Sequence, residues 1–256
     1  MTVPPRFNVQ GVGIHALTLP LARDLIVEAA RDRGRGHYVC CCDAHSISWA
    51  HRSMAHRRAL RQAFLATPDG MPLVWTGRRS GYPVERVYGP DLLLAICAAT
   101  ADRAYSHFFY GAGPGTAERL TAVLQRSFPG LRIAGTYTPP FGPLPEAERT
   151  ALVARLQAAP PDFFWVSLST PKQEAWVATN ASLFPAGVML AVGAAFDLLS
   201  GRVRQAPKWC RELGAEWLWR LAREPRRLAP RYLRSAPLFA LRAVAQATGL
   251  RRYPLE

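Results

Sequence analysis

The chain alternates between short apolar runs and longer amphipathic segments over most of its length. The apolar runs have the length of strands, and they predict buried strands at residues 37–42, 106–110, 131–136, 163–167 and 188–192. Helical periodicity in the intervening segments predicts helices at residues 20–33, 48–66, 92–102, 116–127, 145–158 and 170–178. Strands that alternate with helices are typical of α/β proteins, so we predict a Rossmann-like, mostly parallel sheet covered by helices on both faces.

Proline and glycine mark one long irregular stretch. Residues 67–72 have turn chemistry, and a loop-rich stretch follows as far as Asp91, which is predicted to cap the next helix. Further on, Thr170 and Pro171 have the cap and first-turn chemistry of a helix start. That chemistry does not explain why residues 172–174, which are all polar, would be exposed together at the C-terminal end of a sheet, where open α/β folds bind ligands.

The C-terminal part of the chain has a different character. It is helical in pattern, rich in tryptophan, basic, and predicted to be broken by Pro225, Pro230 and Pro237. Residues 202–256 contain 13 Lys and Arg against 4 Asp and Glu, out of a net charge of +14 for the chain. We therefore expect a core at residues 1–201 and a basic helical appendage at residues 202–256, with an anionic partner such as nucleic acid, phospholipid or a phosphorylated substrate.

The apolar residues of this appendage have two interpretations. Leu213, Trp217 and Leu221 recur at helical spacing and predict a core stripe. The tryptophans Trp209, Trp217 and Trp219 alternate with arginines and could instead lie at a lipid headgroup boundary. Both interpretations stay open, because opposite faces of one helix could serve them.

The cellular location is predicted from the absence of a signal pattern and of a membrane-spanning stretch, and from the cysteines. The N-terminus has no basic and apolar signal pattern, and the most apolar stretch, residues 186–199, is interrupted by Asp197 and is too short to span a bilayer. Five cysteines are an odd number, and Cys40, Cys41 and Cys42 are consecutive, which suits reduced thiols. We expect a cytoplasmic protein that associates peripherally with the inner face of the membrane.

A glycine-rich turn, residues 111–115, lies between a predicted strand and a predicted helix. Gly111 and Gly113 would let backbone N–H groups approach a phosphate at the helix N-terminus, although many such turns are only tight connections. A dinucleotide site would also need an acidic residue at the end of the next strand, where Thr136 and Tyr137 stand instead. This argues against a nicotinamide cofactor without removing a phosphate site.

Two charged residues in the loop-rich stretch are candidates for chemistry. Asp69, flanked by proline and glycine, could act as a general base in a cleft, or it could be a turn residue that bonds its own backbone. Arg86 could offset the charge of a leaving diphosphate, or it could be solvated. The sequence has no Asp-x-Asp pair and no ligand spacing among its six histidines, so we expect neither a metal nor a cofactor.

Six segments in this order resemble the WecG/TagA/CpsF family of bacterial glycosyltransferases, and together with their surroundings they cover about residues 10–235. They are PDGMPLVW (68–75), ERVYGPDL (85–92), FYGAGPGTAE (109–118), STPKQEAW (169–176), VGAAFDLLSGRVRQAPKW (192–209) and AEWLWRLAREPRRLAPRYL (215–233).

The resemblance implies an inverting, metal-independent transferase that moves a sugar from a UDP-sugar to a polyprenyl-diphosphate-linked sugar. It implies that Asp69 is the base and that Arg86 and Gln173 line the donor and acceptor pocket. It also implies that arginines of the C-terminal appendage approach the diphosphate, for which Arg220 and Arg227 are the candidates.

The chain departs from the family at one position. The family usually has Thr-x-Asn at the end of the first strand, where this chain has Cys41, Cys42 and Asp43. A thiol in place of a hydroxyl weakens a hydrogen bond, and a carboxylate in place of an amide adds charge, so the donor sugar is not assigned. Asp91 and Asp197 are further substrate-binding candidates; Asp197 could orient the sugar or cap the following turn.

We therefore expect a hexose or N-acetylhexosamine transferase of cell-surface polysaccharide synthesis, similar to exopolysaccharide members of the family. The appendage would rest on the inner leaflet. The alternatives are an NAD(P)-dependent oxidoreductase, suggested by the glycine turn, and a basic nucleic-acid-binding protein, suggested by the charge. Nucleic acid is not an expected partner, because no recognition motif is present.

Overall fold

The structure, a computed structural model, describes residues 2–142 and 144–255, apart from the side chains of residues 227, 231 and 234. The strands of this part of the chain are Arg6–Val9 (β1), Val12–His15 (β2), His37–Cys42 (β3), Leu65–Pro68 (β4), Ser106–Gly111 (β5), Arg132–Tyr137 (β6), Phe163–Ser167 (β7) and Val188–Ala191 (β8). The helices up to the glycine turn are Leu19–Ala29 (α1), Ala44–Ala50 (α2), Met54–Gln62 (α3), Met71–Arg79 (α4) and Gly89–Thr100 (α5). Those that follow are Thr116–Ser127 (α6), Glu146–Ala158 (α7), Lys172–Asn180 (α8), Ala195–Leu199 (α9), Lys208–Glu212 (α10), Glu216–Arg223 (α11) and Pro225–Ala247 (α12).

Strands β3 to β8 form one parallel sheet in the order β4-β3-β8-β7-β5-β6, and β1 and β2 form a separate antiparallel hairpin. Successive residues of the strands enter two different cores. Phe108 and Phe164 lie in the core beneath α2, α3, α7 and α8, whereas Phe109 and Trp165 lie in the core beneath α1, α5, α6 and α9. The strands are apolar on both faces for this reason. The predicted α/β class, with a parallel sheet covered on both faces, is confirmed.

The predicted helix at residues 48–66 is wrong. The segment contains the end of α2, all of α3 and the first half of strand β4. Ser53 interrupts the helix, because its side chain accepts a hydrogen bond from the His56 N–H and starts α3 as an N-cap. Leu65–Pro68, four residues that are all buried, is too short for periodicity to identify, and pairing with β3 decides its conformation.

Other local features also differ from the prediction. The β1–β2 hairpin was not predicted, and α4 lies where only loop was expected. Asp91 does not cap α5, because that helix starts at Gly89 with Tyr88 as its N-cap and Asp91 lies in the first turn. Likewise the N-cap of α8 is Pro171, and the Thr170 hydroxyl instead donates to a side chain within the helix.

The C-terminal helix α12 is continuous through Pro230 and Pro237, contrary to the predicted breaks. Packing against the core offsets the hydrogen bonds that these prolines remove: Phe239 is 6% exposed and joins the core beneath α2. The turn of the β1–β2 hairpin anchors the same helix. Gln10 Nε2 donates to the Phe239 carbonyl at 2.9 Å, and the Gln10 N–H donates to Gln246 at 2.8 Å.

Among the described residues, no helix has both the length and the apolarity needed to cross a bilayer.

The glycine turn after β5 offers a test of the sheet's packing. A Cβ on Gly111 would lie 2.4 Å from the Ser167 carbonyl oxygen, whereas a Cβ on Gly115 would meet no atom within 4 Å; both residues have positive φ, +108° and +73°. We expect Gly111→Ala to lower the free energy of unfolding by about 2–3 kcal/mol through this clash, and Gly115→Ala by about 1 kcal/mol through backbone strain alone. Urea unfolding measures both, and equal losses would contradict the close β5–β7 contact.

Candidate active site

A cavity of about 360 Å³ opens at the carboxyl ends of the parallel strands. Loops after four adjacent strands, β4, β3, β8 and β7, surround it, and residues of α11 and α12 close one side. Open α/β sheets bind ligands at this edge, because the loops there diverge and leave a crevice. The predicted site residues that line it are Cys41, Asp43, Asp69, Arg86, Gln173, Asp197 and Arg220.

The pairing of β3 with β4 positions two of the carboxylates. Cys42 is opposite Pro68 in the register, so Asp43 and Asp69 leave the sheet side by side. The Asp69 N–H donates to the Cys42 carbonyl at 2.9 Å, and its Oδ2 accepts from the Gly89 N–H at 3.2 Å. Asp69 is therefore held at both its backbone and its side chain, with 18% of the side chain exposed to the cavity.

Arg86 connects Asp69 with the C-terminal segment. Its Nε donates to the Asp69 carbonyl at 2.6 Å, and its Nη2 lies 3.6 Å from Asp69 Oδ1 but 2.8 Å from Glu216 Oε2. The guanidinium stacks on Tyr88 at 4.0 Å from the ring centroid, and the Tyr88 hydroxyl donates to Glu216 Oε1 at 2.8 Å. Arg86 is thus shared between two carboxylates from distant parts of the sequence.

The pKa of Asp69 is raised from 3.8 to about 7. Burial is the largest cause, because a charged carboxylate loses hydration there; Asp43 and Glu216 raise the pKa further, while Arg86 lowers it. A carboxylate whose pKa lies near neutral is well matched to general base catalysis at neutral pH.

Gln173 and Glu174 form a buried polar pair beneath the cavity, with exposures of 1% and 0%, so the predicted joint exposure of residues 172–174 is wrong. Gln173 accepts from the Gly193 N–H at 3.0 Å and donates to Glu174 at 3.3 Å, which fixes its amide. Thr170 donates to the same Glu174 oxygen at 2.7 Å. The other oxygen, Oε2, has no hydrogen-bond partner in the described part of the chain, and burial raises the pKa of Glu174 to about 7.

The remaining predicted residues of the cavity wall differ in how they are held. The side chain of Asp43 caps α2 by accepting from the Ser46 N–H, and Cys41 is 7% exposed with its pKa raised by burial. Asp197 has an exposed fraction of 32% and lies 3.8 Å from Arg202 Nη1; its carbonyl, not its side chain, accepts from Val203. Arg220 Nε is buried without a hydrogen-bond partner among the described residues.

Three of the predicted residues that the structure describes are not among those that line the cavity. Asp91 pairs with Arg211 at 3.5 Å beside it. Gly111 packs on Ser167, and Gly113 lies beneath Arg202, whose Nη1 donates to Thr116 Oγ1 at 2.9 Å and lies 3.8 Å from Asp197 Oδ1. The side chain of residue 227 lies outside the described part of the structure. Their proposed contacts with substrate stay predictions.

Sequence reasoning missed three residues of this site, Tyr88, Glu174 and Glu216. Each lies inside one of the six segments that resemble the transferase family, which was the available signal. Their burial and their partners depend on contacts between segments far apart in the chain, and local periodicity does not contain that information.

An apolar rim lies beside the cavity, formed by residues of α4 and of the C-terminal helices. Trp75, Trp209 and Leu213 are 51%, 62% and 67% exposed, and Trp217, which also lines the cavity, is 43% exposed. The predicted core stripe is therefore wrong for Leu213, the C-cap of α10, and for Trp217 of α11, because both side chains are exposed.

Comparison with known proteins agrees with this geometry. Residues 7–253 match the glycosyl transferase WecG/TagA/CpsF family. The N-acetylglucosaminyldiphosphoundecaprenol N-acetyl-beta-D-mannosaminyltransferase of Bacillus spizizenii is 27% identical over 197 residues, which cover 77% of this chain and 75% of that protein. The Staphylococcus aureus (strain MW2) protein of the same name is 24% identical over 246 residues, covering 93% and 94%.

The site and the fold thus define an enzyme of the glycosyltransferase class. More particularly, the chain belongs to the WecG/TagA/CpsF family of glycosyltransferases, since the match extends over nearly all of it. This membership favours the transferase interpretation over the oxidoreductase one.

The buried Glu174 predicts a pH-dependent stability. Its pKa rises from 4.5 to about 7 on folding, so the folded state binds the proton more tightly and the free energy of unfolding falls as pH rises through this window. Glu174→Gln mimics the protonated acid. We expect the stability advantage of the variant over the wild-type protein to grow by about 2 kcal/mol between pH 5 and pH 8.5, measured by urea unfolding.

The matched control is Glu146→Gln, since that glutamate is 80% exposed on α7. It should follow the wild-type protein at both pH values. Parallel curves for wild type and Glu174→Gln would mean that Glu174 is not held neutral by burial.

Proposed function

We propose that the protein is an inverting, metal-independent glycosyltransferase that moves a hexose or N-acetylhexosamine from a UDP-sugar to a polyprenyl-diphosphate-linked sugar in cell-surface polysaccharide synthesis. The observation that carries the proposal is Asp69: a half-buried carboxylate with a pKa of about 7 at the cavity, in a chain of this family. The acceptor class is supported by the names of the two relatives, both of which act on N-acetylglucosaminyldiphosphoundecaprenol.

In the proposed reaction, Asp69 takes the proton of the acceptor hydroxyl. The oxygen attacks the anomeric carbon from the face opposite the leaving group, the bond from that carbon to the diphosphate oxygen breaks, and UDP leaves with the electron pair. The donor sugar would be bound by Gln173 and Asp197 together with Cys41 and Asp43, the residues at which the chain departs from the family pattern. All four line the cavity with Asp69.

Arginines would offset the charge that develops on the diphosphate. Arg86 lies beside Asp69, and the buried Nε of Arg220 has no partner among the described residues, as expected of a donor that awaits a phosphate oxygen. The nucleotide could extend toward the glycine turn, since Arg202 lies between that turn and the cavity, near both Thr116 and Asp197. Charge compensation by arginine is the reason for proposing a metal-independent reaction.

Residues 202–256 would form the appendage that meets the inner leaflet of the membrane. The exposed Trp209 and Trp217 stand near Arg211, Arg220 and Arg223 in sequence, and aromatic and basic residues together suit a headgroup boundary. A lipid-linked acceptor would then reach the cavity from its apolar rim, without leaving the bilayer.

The first test is UDP release from a panel of UDP-sugars, with and without a short-chain polyprenyl-diphosphate-linked sugar, in detergent or liposomes. We expect release from one donor that depends on the acceptor, because transfer requires both substrates in one cavity. Release that is independent of the acceptor with every donor would contradict a transferase. A UDP-binding titration on the same sample separates a wrong acceptor from a wrong donor class.

The second test concerns the base. Asp69→Asn should lower kcat by a factor on the order of 10²–10⁴. In the wild-type protein, kcat/KM should rise with pH and inflect near 7, because the ionised Asp69 is the active form. Asp32→Asn is the control, as this aspartate is 57% exposed and pairs with Arg35 on the surface. Near-normal turnover by a folded Asp69→Asn protein would overturn the assignment.

A further inference from the structure

Helix α11 buries its one acidic residue and exposes apolar ones. Glu216 is 9% exposed and is the only buried residue of α11, every residue of which is described, whereas Trp217 and Leu218 are 43% and 51% exposed. Burial of a carboxylate costs hydration, and exposure of tryptophan and leucine forgoes burial of apolar surface. Stability alone does not account for this arrangement, so the carboxylate calls for a separate explanation.

Both oxygens of Glu216 are committed to residues that precede α5. Oε2 accepts from Arg86 Nη2 and Oε1 accepts from the Tyr88 hydroxyl, each at 2.8 Å. Tyr88 is itself 5% exposed and lies beneath the Arg86 guanidinium. Two hydrogen bonds and a stacking contact therefore fix the orientation of Arg86.

This orientation decides how Arg86 meets Asp69. The Nε of Arg86 donates to the backbone carbonyl of Asp69, not to its carboxylate, and Nη2 is 0.8 Å closer to Glu216 than to Asp69, at 2.8 against 3.6 Å. The direct charge-assisted bond goes to Glu216. The Asp69 carboxylate is left with the longer ionic contact and one N–H donor, that of Gly89.

We propose that Glu216 is a positioning residue for glycosyl transfer: it holds the Arg86 guanidinium off the Asp69 carboxylate and so keeps Asp69 basic enough to take the acceptor's proton. The inference rests on the proposed function, in which Asp69 is the base. It also gives α11 a role in the chemistry that does not depend on contact with substrate. Asp69 keeps its basicity only while α11 holds Glu216 against Arg86 and Tyr88.

The charges around Asp69 agree in sign with this role. Burial raises its pKa most, Asp43 and Glu216 raise it further, and Arg86 opposes them. Removal of the Glu216 charge would subtract one raising influence and release Arg86 toward Asp69, and both changes lower the pKa. Other titratable or charged groups also lie at this part of the site, on each of the elements that surround it. They are Cys41 and His45 near β3, Tyr88 and Asp91 at α5, Glu174 of α8, Arg211 of α10 and Arg220 of α11.

The test compares Glu216→Gln with Glu216→Asp by the pH dependence of acceptor-dependent UDP release. In Glu216→Gln we expect the acid limb of the kcat/KM profile to move down by about one pH unit and the maximal rate to fall about tenfold, because a weaker base accepts the proton less readily. Glu216→Asp keeps the charge and should keep the wild-type limb. Glu212→Gln is the matched control: it removes one carboxylate from the neighbouring helix α10, where Glu212 pairs with Lys208 on the surface.

A second readout is independent of turnover. The Asp69 carboxyl carbon, assigned by its loss in Asp69→Asn, is titrated by ¹³C NMR in the wild-type protein and in Glu216→Gln, with thermal melting as the check of folding. A lower pKa in the variant supports the inference. An unmoved limb and an unmoved ¹³C titration in a folded Glu216→Gln protein overturn it, even if the rate falls, because a purely structural role would lower the rate at every pH alike. A wild-type protein that transfers no sugar overturns the proposed function instead.

Discussion

The parallel pairing of β3 with β4 is the constraint from which the site follows. Its register opposes Cys42 to Pro68, so Asp43 and Asp69 leave the sheet at the same level and at the same edge. The Cys42 carbonyl accepts from both Asp69 and Gly70, which bends the chain away from the sheet and toward the cavity. The Asp43 carboxylate raises the pKa of Asp69, in the same direction as burial, whereas Arg86 lowers it.

Although the protein has a net charge of +14, its site contains a cluster of acidic residues. Asp69 and Glu174 both have pKa values near 7, because burial disfavours the ionised form of each. Arginines stand nearby, where Arg86 and Arg220 meet the cavity. The proposed reaction requires a carboxylate that takes the proton at one point and positive charge near the leaving diphosphate at another, since the proton and the leaving group depart in different directions.

The C-terminal segment contacts the residues of the site directly. The β1–β2 hairpin anchors α12 through Gln10, and α11 then presents Glu216 to Arg86 and Tyr88. The same short helix turns Trp217 outward to the apolar rim. A single element thus connects the charge state of the cavity with the surface from which a lipid-linked acceptor would arrive.

The sequence by itself determined the α/β class, because strands buried on both faces are apolar throughout and helices between them are not; Thr116–Ser127 and Phe163–Ser167 were predicted to the residue. Its motifs also singled out Asp69. Only the tertiary structure decided that Leu65–Pro68 is a strand, since a run of four residues takes its conformation from the partner it pairs with. Only the tertiary structure decided the partners of Glu216, because Arg86 and Tyr88 lie 130 and 128 positions away in the chain, and a local sequence pattern does not contain so distant a contact.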